Sequence, residues 1–128
     1  MNEAIADTSI FVARETGRPI RAEAVPDRIG VSFITIGELR AGVLAAPDLD
    51  TRDRRLRTLL VALSLEPIPV DDRVADAWAR LRTELDRRGL RMLANDGWIA
   101  ATAMSRGVPV VTQDAGFVEV PGLEVIRV

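Results

Sequence analysis

The chain has 128 residues, of which 48% are hydrophobic, and a formal net charge of -2. This length and composition fit one compact domain with its own core, while the near-neutral charge argues against a protein that coats nucleic acid without specificity. Because the sequence contains no cysteine and no histidine, disulfides, thiolate nucleophiles, histidine bases and histidine-bound metals are excluded. Any catalysis must use carboxylates, hydroxyls, arginines or a recruited ion.

The predicted elements alternate between strands and helices along the chain. In the first half of the sequence, the residue pattern predicts a strand over residues 4–6, a helix beginning at Thr8 or Ser9, a strand over 29–33, a helix over 34–44 and an amphipathic helix over 50–65. The second half predicts a short edge strand over 66–70, a helix from Asp71 that ends at Gly89, a helix over 97–105 capped by Asn95 or Asp96, a strand over 108–112 and a last strand over 123–128.

This alternation is typical of an α/β protein. It predicts a single domain over residues 1–128, built on a parallel sheet of about five strands with helices on its faces. In open sheets of this kind, ligands bind beyond the carboxyl ends of the strands. Polar residues that directly follow a predicted strand are therefore candidates for a functional site.

Four carboxylates interrupt or adjoin apolar segments, where carboxylates are normally avoided. They are Asp7, Glu38, Asp96 and Asp114. If folding brings them together, their mutual repulsion must be relieved by proton uptake or by a divalent cation. Since the chain offers only oxygen ligands, such a site favours Mg²⁺ or Mn²⁺ over zinc or copper.

Each of these acids also has an ordinary structural explanation that the sequence leaves open. Short acidic side chains cap helices and stabilise turns, and a half-buried carboxylate needs a partner. The alternatives are a helix cap for Asp7 and for Asp96, a turn with Gly116 for Asp114, and a salt bridge to Arg40 or Arg14 for Glu38.

Four segments form a recognisable pattern across almost the full length. They are ADTS at residues 6–9, SFITIGELRAG at 32–42, NDGWIAATA at 95–103 and VTQD at 111–114. In this order and spacing, the sequence resembles the PIN-domain ribonucleases, in particular the VapC-type toxins of bacterial toxin–antitoxin pairs. The resemblance implies a small parallel sheet flanked by helices.

The resemblance also implies the chemistry of the site. The family's acidic cluster, which binds Mg²⁺ or Mn²⁺, falls on Asp7, Glu38, Asp96 and Asp114. The hydroxyls of Ser9 and Thr112 match positions that support this cluster, and we assign them to substrate binding. The implied activity is metal-dependent hydrolysis of RNA by an endoribonuclease. Many relatives carry a further acid before the phenylalanine of the last motif, where this chain has Gly116 before Phe117.

The resemblance further implies partners and a cellular setting. It implies an RNA substrate, a toxin homodimer and a cognate VapB-like antitoxin that occludes the acidic site with an arginine. Arginines on the 50–65 helix are candidates for contacts with the RNA backbone, although a solvated face explains them equally well. The sequence predicts no secretion signal and no membrane anchor, so the expected location is the cytoplasm.

Two other functions remain open from the sequence. One is a catalytically inactive PIN-like module that binds RNA or a protein partner. The other is a phosphoacceptor or phosphatase domain, which also gathers aspartates at strand ends around Mg²⁺. Such domains generally use a lysine near the phosphoryl group, and this chain contains none, which makes the second alternative the weaker one.

Overall fold

A computed structural model describes residues 2–128 and contains an alternating series of strands and helices. The strands are β1 (Glu3–Ala6), β2 (Arg28–Gly30), β3 (Val110–Thr112) and β4 (Val125–Arg127). The helices are α1 (Thr8–Thr16), α2 (Phe33–Leu44), α3 (Leu49–Leu63), α4 (Asp72–Arg88) and α5 (Ala94–Arg106), with a short 3₁₀ helix at Ala22–Ala24. None of the described helices is long and apolar enough to cross a membrane.

The described strands form one parallel sheet in the order β2-β1-β3-β4. In its centre, Ile5 lies opposite Val110 and Ala6 lies opposite Val111. This arrangement confirms the α/β fold with a parallel sheet that the sequence predicts. Because all strands run in the same direction, the residues that follow β1 and β3 emerge side by side at one edge of the sheet.

The sheet has four strands in the described part of the chain, so the prediction of about five is one too many. The predicted edge strand over 66–70 forms only a single parallel bridge, between Ile68 and Ser32. Ile68 donates to the Val31 carbonyl and accepts from the Phe33 amide. The pairing ends there because α2 begins at Phe33 and because Glu66 has a positive φ of 53°, which is not extended backbone. Pro67 and Pro69 face the opposite edge and leave it without amide donors.

Capping residues set the ends of several helices. Ser32 caps α2 through its side chain, so the predicted strand over 29–33 stops at Gly30. Asp71 caps α4, and Gly89 ends that helix in the left-handed conformation, as predicted. Most of the other predicted ends lie within two residues of the observed ones.

Helix α5 begins earlier than the predicted range of 97–105. Its first residue is Ala94, and Leu93 occupies the cap position without a side-chain hydrogen bond. The prediction that Asn95 or Asp96 caps this helix is therefore wrong. Both residues lie inside the first helical turn, where their side chains are free to serve other contacts.

The core lies on both faces of the sheet because successive residues of a strand point to opposite sides. Ala4 and Ala6 of β1 pack with side chains from α1, α2 and α3, whereas Ile5 packs with side chains from α4 and α5. In β3, Val111 belongs to the first cluster and Val110 to the second. The two central strands are thus buried on both sides, which fixes the positions of the residues that follow them.

Candidate metal centre

Asp7 follows β1 and is almost fully buried, with 3% of its surface exposed. Its Oδ2 atom accepts a hydrogen bond from the Ser9 backbone amide at 3.3 Å and one from the Thr112 hydroxyl at 2.8 Å. The helix-cap explanation for Asp7 is therefore correct, but it is incomplete. The same oxygen is also bound to the end of the neighbouring strand, which places the carboxylate at the sheet edge.

Glu38 lies in the middle of α2 and is half-buried. Its Oε1 accepts a 2.6 Å hydrogen bond from the Thr8 hydroxyl, and its Oε2 lies 3.4 Å from the side-chain nitrogen of Asn95. Within residues 2–128, neither Arg40 nor Arg14 forms an ion pair with it. The salt-bridge explanation is therefore wrong, and the carboxylate instead joins the middle of α2 to the starts of α1 and α5.

Asp96 occupies the first turn of α5 and has only 7% of its surface exposed. Its Oδ2 is buried and has no hydrogen-bond partner among the described residues. Burial, reinforced by the negative charges of Asp7, Asp114 and Glu38, raises the pKa of this carboxyl to about 6. Asp96 therefore lies close enough to each of the other three acids to interact with it electrostatically.

Asp114 follows β3 and is exposed. Its Oδ1 accepts a 2.9 Å hydrogen bond from the Gly116 amide, so the turn explanation is correct for this residue. The turn also brings Asp114 towards the acidic cluster. A Cβ atom built on Gly116 would lie 3.4 Å from Oδ1 of Asp114 and 3.3 Å from Oδ2 of Asp96. The two carboxylates thus face the same small space, which the glycine leaves open.

The hydroxyls of Ser9 and Thr112 lie 3.2 Å apart beside Asp7. Thr112 is fully buried, donates to Asp7 and accepts from the Asp114 amide at 2.8 Å. Ser9 accepts from the Gln113 amide at 3.0 Å. The buried Thr112 hydroxyl orients Asp7 in this structure. Substrate binding by Ser9 and Thr112 stays a prediction.

Sequence reasoning missed Thr8 and Thr35. The two hydroxyls lie 3.0 Å apart, and Thr8 contacts Glu38 directly. The sequence shows where these residues stand, but it does not indicate that they touch. Thr8 stands between Asp7 and Ser9, and Thr35 precedes Glu38 by three residues, which places both on one helical face.

The chemistry of this site suits a hard divalent cation. The buried, unpartnered Oδ2 of Asp96 and the open space beside Gly116 provide a ligand and room for an ion. Within residues 2–128, however, no group of three or more acidic side chains is arranged so that it could hold a metal ion as it stands. Binding an ion at this site would therefore require the carboxylates to move closer together.

The comparison with known proteins agrees with this architecture. The family model of the PIN domain matches residues 4–123. The chain belongs to the PIN domain family. The match covers β1 from its second residue onward together with β2 and β3, ends before β4, and includes every acid of the candidate site. The resemblance inferred from the four sequence segments is therefore confirmed.

Relatives of this PIN domain match over nearly their full length. Ribonuclease VapC5 of Mycobacterium tuberculosis is 47% identical over 97% of this chain and 94% of its own length. Ribonuclease VapC4 of the same species is 41% identical over 100% of this chain and 98% of its own length. A solved structure of VapBC-5, from the VapBC family of toxin–antitoxin systems of M. tuberculosis, superposes with a TM-score of 0.91 at 43% identity and covers 100% of both chains.

Proposed function

We propose that this PIN domain is a metal-dependent endoribonuclease that acts as the toxin of a toxin–antitoxin pair. The observation that carries the proposal is the buried, unpartnered Oδ2 of Asp96, which shares the space beside Gly116 with Asp114. The relatives named as VapC ribonucleases support RNA as the substrate and the toxin role. With no histidine or cysteine in the chain, an ion bound by carboxylates is the available means of activating water.

In this proposal the four acids bind Mg²⁺ or Mn²⁺. When bound, such an ion polarises the scissile phosphate and lowers the pKa of bound water, which supplies the nucleophile. The contribution of the protein is to hold the ligands in place. Thr112 orients Asp7, Thr8 orients Glu38, and the turn at Gly116 directs Asp114 towards the cluster.

Arginines of α3 are proposed contacts for the RNA backbone, although two of them already have partners. Arg55 donates a 2.7 Å hydrogen bond to the carbonyl of Gly42, and Arg54 lies 3.9 Å from Glu15. Arg52 and Arg57 are both exposed, and of these two only Arg57 lines the cavity between α1 and α3. We therefore favour Arg57 over its neighbours for phosphate contact.

A cleavage assay separates the proposed ribonuclease from an inactive PIN-like binding module. Purified full-length protein is incubated with a pool of structured RNA in the presence of Mg²⁺, Mn²⁺ or EDTA. We expect cleavage only with the divalent ions, and we expect Asp7→Asn and Asp96→Asn to abolish it. Asp76→Asn is a matched control, because Asp76 is an exposed acid that pairs with Arg80 on α4.

The outcome of that assay is decisive for the proposal. Full cleavage by either site variant, or undiminished cleavage in EDTA, would contradict the metal mechanism. RNA binding without cleavage under every ion condition would favour the inactive module. Mapping the ends of the product RNAs would then define the sequence that is cut.

The proposed partner is a VapB-like antitoxin that covers the acidic site with an arginine. The solved VapBC-5 neighbour comes from a family of toxin–antitoxin systems, which supports such a partner. Exposed apolar residues offer surface for it, and on α3 these are Leu49, Leu56, Leu60 and Val61. Co-expression with the product of the adjacent gene should yield a stable complex in which cleavage is suppressed.

A homodimer and a cytoplasmic location complete the proposal. Trp78, which could serve an interface, stacks on Trp98 of the same chain with ring centroids 4.8 Å apart, and both rings are half-buried. This pair contributes to the packing of α4 on α5 and does not by itself require a second copy. Light scattering on the purified protein, with and without antitoxin, measures the oligomeric state.

A further inference from the structure

A chain of two hydroxyls leads from the interior of the protein to Glu38. The Thr8 hydroxyl oxygen lies 2.6 Å from Oε1 of Glu38 and 3.0 Å from the hydroxyl oxygen of Thr35. Thr35 is fully buried in the first turn of α2, and Thr8 is half-buried at the start of α1. The chain thus links two helix starts to one carboxylate of the candidate metal centre.

The single hydrogen of the Thr8 hydroxyl has two possible acceptors. The Thr8 oxygen is placed to donate either to Oε1 of Glu38 or to the hydroxyl oxygen of Thr35. The contact with Glu38 is the shorter of the two and has a charged acceptor, so we assign the Thr8 hydrogen to the carboxylate. The Thr35 hydroxyl lies directly beside the Thr8 oxygen and limits where it can move.

A second chain with the same design leads to Asp7. The Ser9 hydroxyl lies 3.2 Å from that of Thr112, and Thr112 donates to Oδ2 of Asp7 at 2.8 Å. Because Thr112 also accepts from the Asp114 amide, its single hydrogen is directed at the Asp7 carboxylate. Two independent hydroxyl chains, one from α2 and one beside β3, therefore each end on a proposed metal ligand.

We propose that Thr35 and Thr8 are positioning residues that fix the Glu38 carboxylate for ion binding. This inference rests on the proposed metal-dependent function. Thr8 holds Oε1 and points Oε2 towards Asn95 on α5, the helix that also carries Asp96. Hydrogen bonds to the ligands of a metal orient them, and losing one commonly weakens metal binding.

A purely structural role is the rival explanation, because the same hydroxyls connect α1 to α2. The two explanations differ in what they predict for ion affinity. If the hydroxyls only connect the two helices, removing one would lower the free energy of unfolding, and its effect would not depend on Glu38. A positioning role would affect ion affinity specifically, and only when the Glu38 carboxylate is present.

The test measures the dissociation constant of Mn²⁺ for the full chain by isothermal titration calorimetry. We expect Thr8→Val, which keeps the side-chain shape and removes the hydroxyl, to weaken binding roughly 10- to 100-fold. Thr8→Ser retains the hydroxyl and should bind close to wild type. Thr16→Val is the matched control, because Thr16 is an exposed residue of the same helix whose hydroxyl bonds only to the Val12 carbonyl.

A double-mutant cycle then identifies the route of the effect. In a Glu38→Ala background, Thr8→Val should cause no further loss of Mn²⁺ affinity. Equal losses in both backgrounds, or Mn²⁺ binding by Thr8→Val as tight as wild type, would overturn the positioning role. If Thr8→Val does not fold, Thr35→Val provides the same comparison, with a weaker loss expected.

The two proposals fail in different ways in this experiment. Wild-type protein that neither binds Mn²⁺ nor cleaves RNA would refute the metal-dependent function together with the positioning role. Wild-type protein that binds Mn²⁺ while Thr8→Val binds it equally well would refute the positioning role alone.

Discussion

The hydroxyl of Thr112 donates a 2.8 Å hydrogen bond to Oδ2 of Asp7 across 105 residues of sequence. The two residues stand at the carboxyl ends of β3 and β1, which are neighbours in the sheet. Both side chains are buried. This contact joins two strand ends and sets the orientation of one proposed metal ligand, so it serves both the fold and the site.

Replacing Thr112 with valine should destabilise the protein by about 1–3 kcal/mol, because it removes a buried donor to Asp7 and a buried acceptor for the Asp114 amide. Urea denaturation in EDTA measures this loss. Thr102→Val is a matched control, since Thr102 is equally buried but its hydroxyl bonds to the Trp98 carbonyl within α5. Equal losses in the two variants would contradict the special role of Thr112.

Replacing Asp96 with asparagine should stabilise the ion-free protein at neutral and alkaline pH. The pKa of Asp96 rises in the folded state from 3.8 to about 6. Its ionised form therefore disfavours folding above pH 6, and this penalty disappears as the pH falls below 3.8. This shift in pKa corresponds to a loss of about 3 kcal/mol at most in the free energy of unfolding.

Denaturation in EDTA at pH 8 and at pH 4 tests this prediction about Asp96. We expect Asp96→Asn to be more stable than wild type at pH 8, with the difference largely lost at pH 4. Asp76→Asn should show no such pattern, because Asp76 is exposed and paired with Arg80. An Asp96→Asn variant that is less stable than wild type at pH 8 would contradict a penalty for the ionised carboxyl from burial and from the neighbouring charges.

The fold and the four acids could be predicted because their signals are local. Apolar strands followed by Asp7 or Asp114 show where parallel strands end, and parallel strands end at one edge. The edge strand over 66–70 fails for a reason that is not local. Its pairing with the segment around Ser32 is cut short because α2 begins at Phe33.

Other features depended on contacts between distant segments and could not be read from the sequence. The burial of Asp96 depends on how α5 packs between the sheet and α4, and a cap and a buried ligand look alike in a sequence. The hydrogen-bond partner of Glu38 also could not be read from the sequence. Its partner is Thr8, 30 residues away, and threonine at the start of a helix is too common to indicate such a contact.

Divalent ions should stabilise the wild-type protein against heat. An ion that binds only the folded state contributes about 2.7 kcal/mol at one hundred times its dissociation constant. Because Asp96 must lose its proton to bind the ion, ion affinity should be nearly constant well above pH 6 and should fall by about tenfold per pH unit below it. Thermal unfolding across Mg²⁺ and Mn²⁺ series at pH 5, 6, 7 and 8 measures both effects.

The variant Asp96→Asn provides the control for ion stabilisation. It should unfold at the same temperature with and without the ion, at every pH. A thermal shift that persists in this variant, or one that does not depend on pH in the wild type, would mean that the ion binds elsewhere.

Gly116→Ala should weaken ion binding without disturbing the backbone. The φ angle of Gly116 does not lie in the left-handed region, so alanine can adopt its conformation. The added methyl group would lie 3.3 Å from Oδ2 of Asp96 and 3.4 Å from Oδ1 of Asp114, closer than such contacts normally are. It would therefore occupy the space that the two carboxylates share, and calorimetry with Mn²⁺ should detect a lower affinity.

Gly37→Ala is the matched control for this last substitution. A Cβ atom on Gly37 meets nothing within 4 Å, and the residue lies inside α2. Alanine there should leave Mn²⁺ affinity unchanged and should stabilise the helix by about 0.5–1 kcal/mol. If Gly116→Ala binds Mn²⁺ as tightly as Gly37→Ala does, the ion does not occupy the space between Asp96 and Asp114, and its ligands must be sought around Asp7 and Glu38.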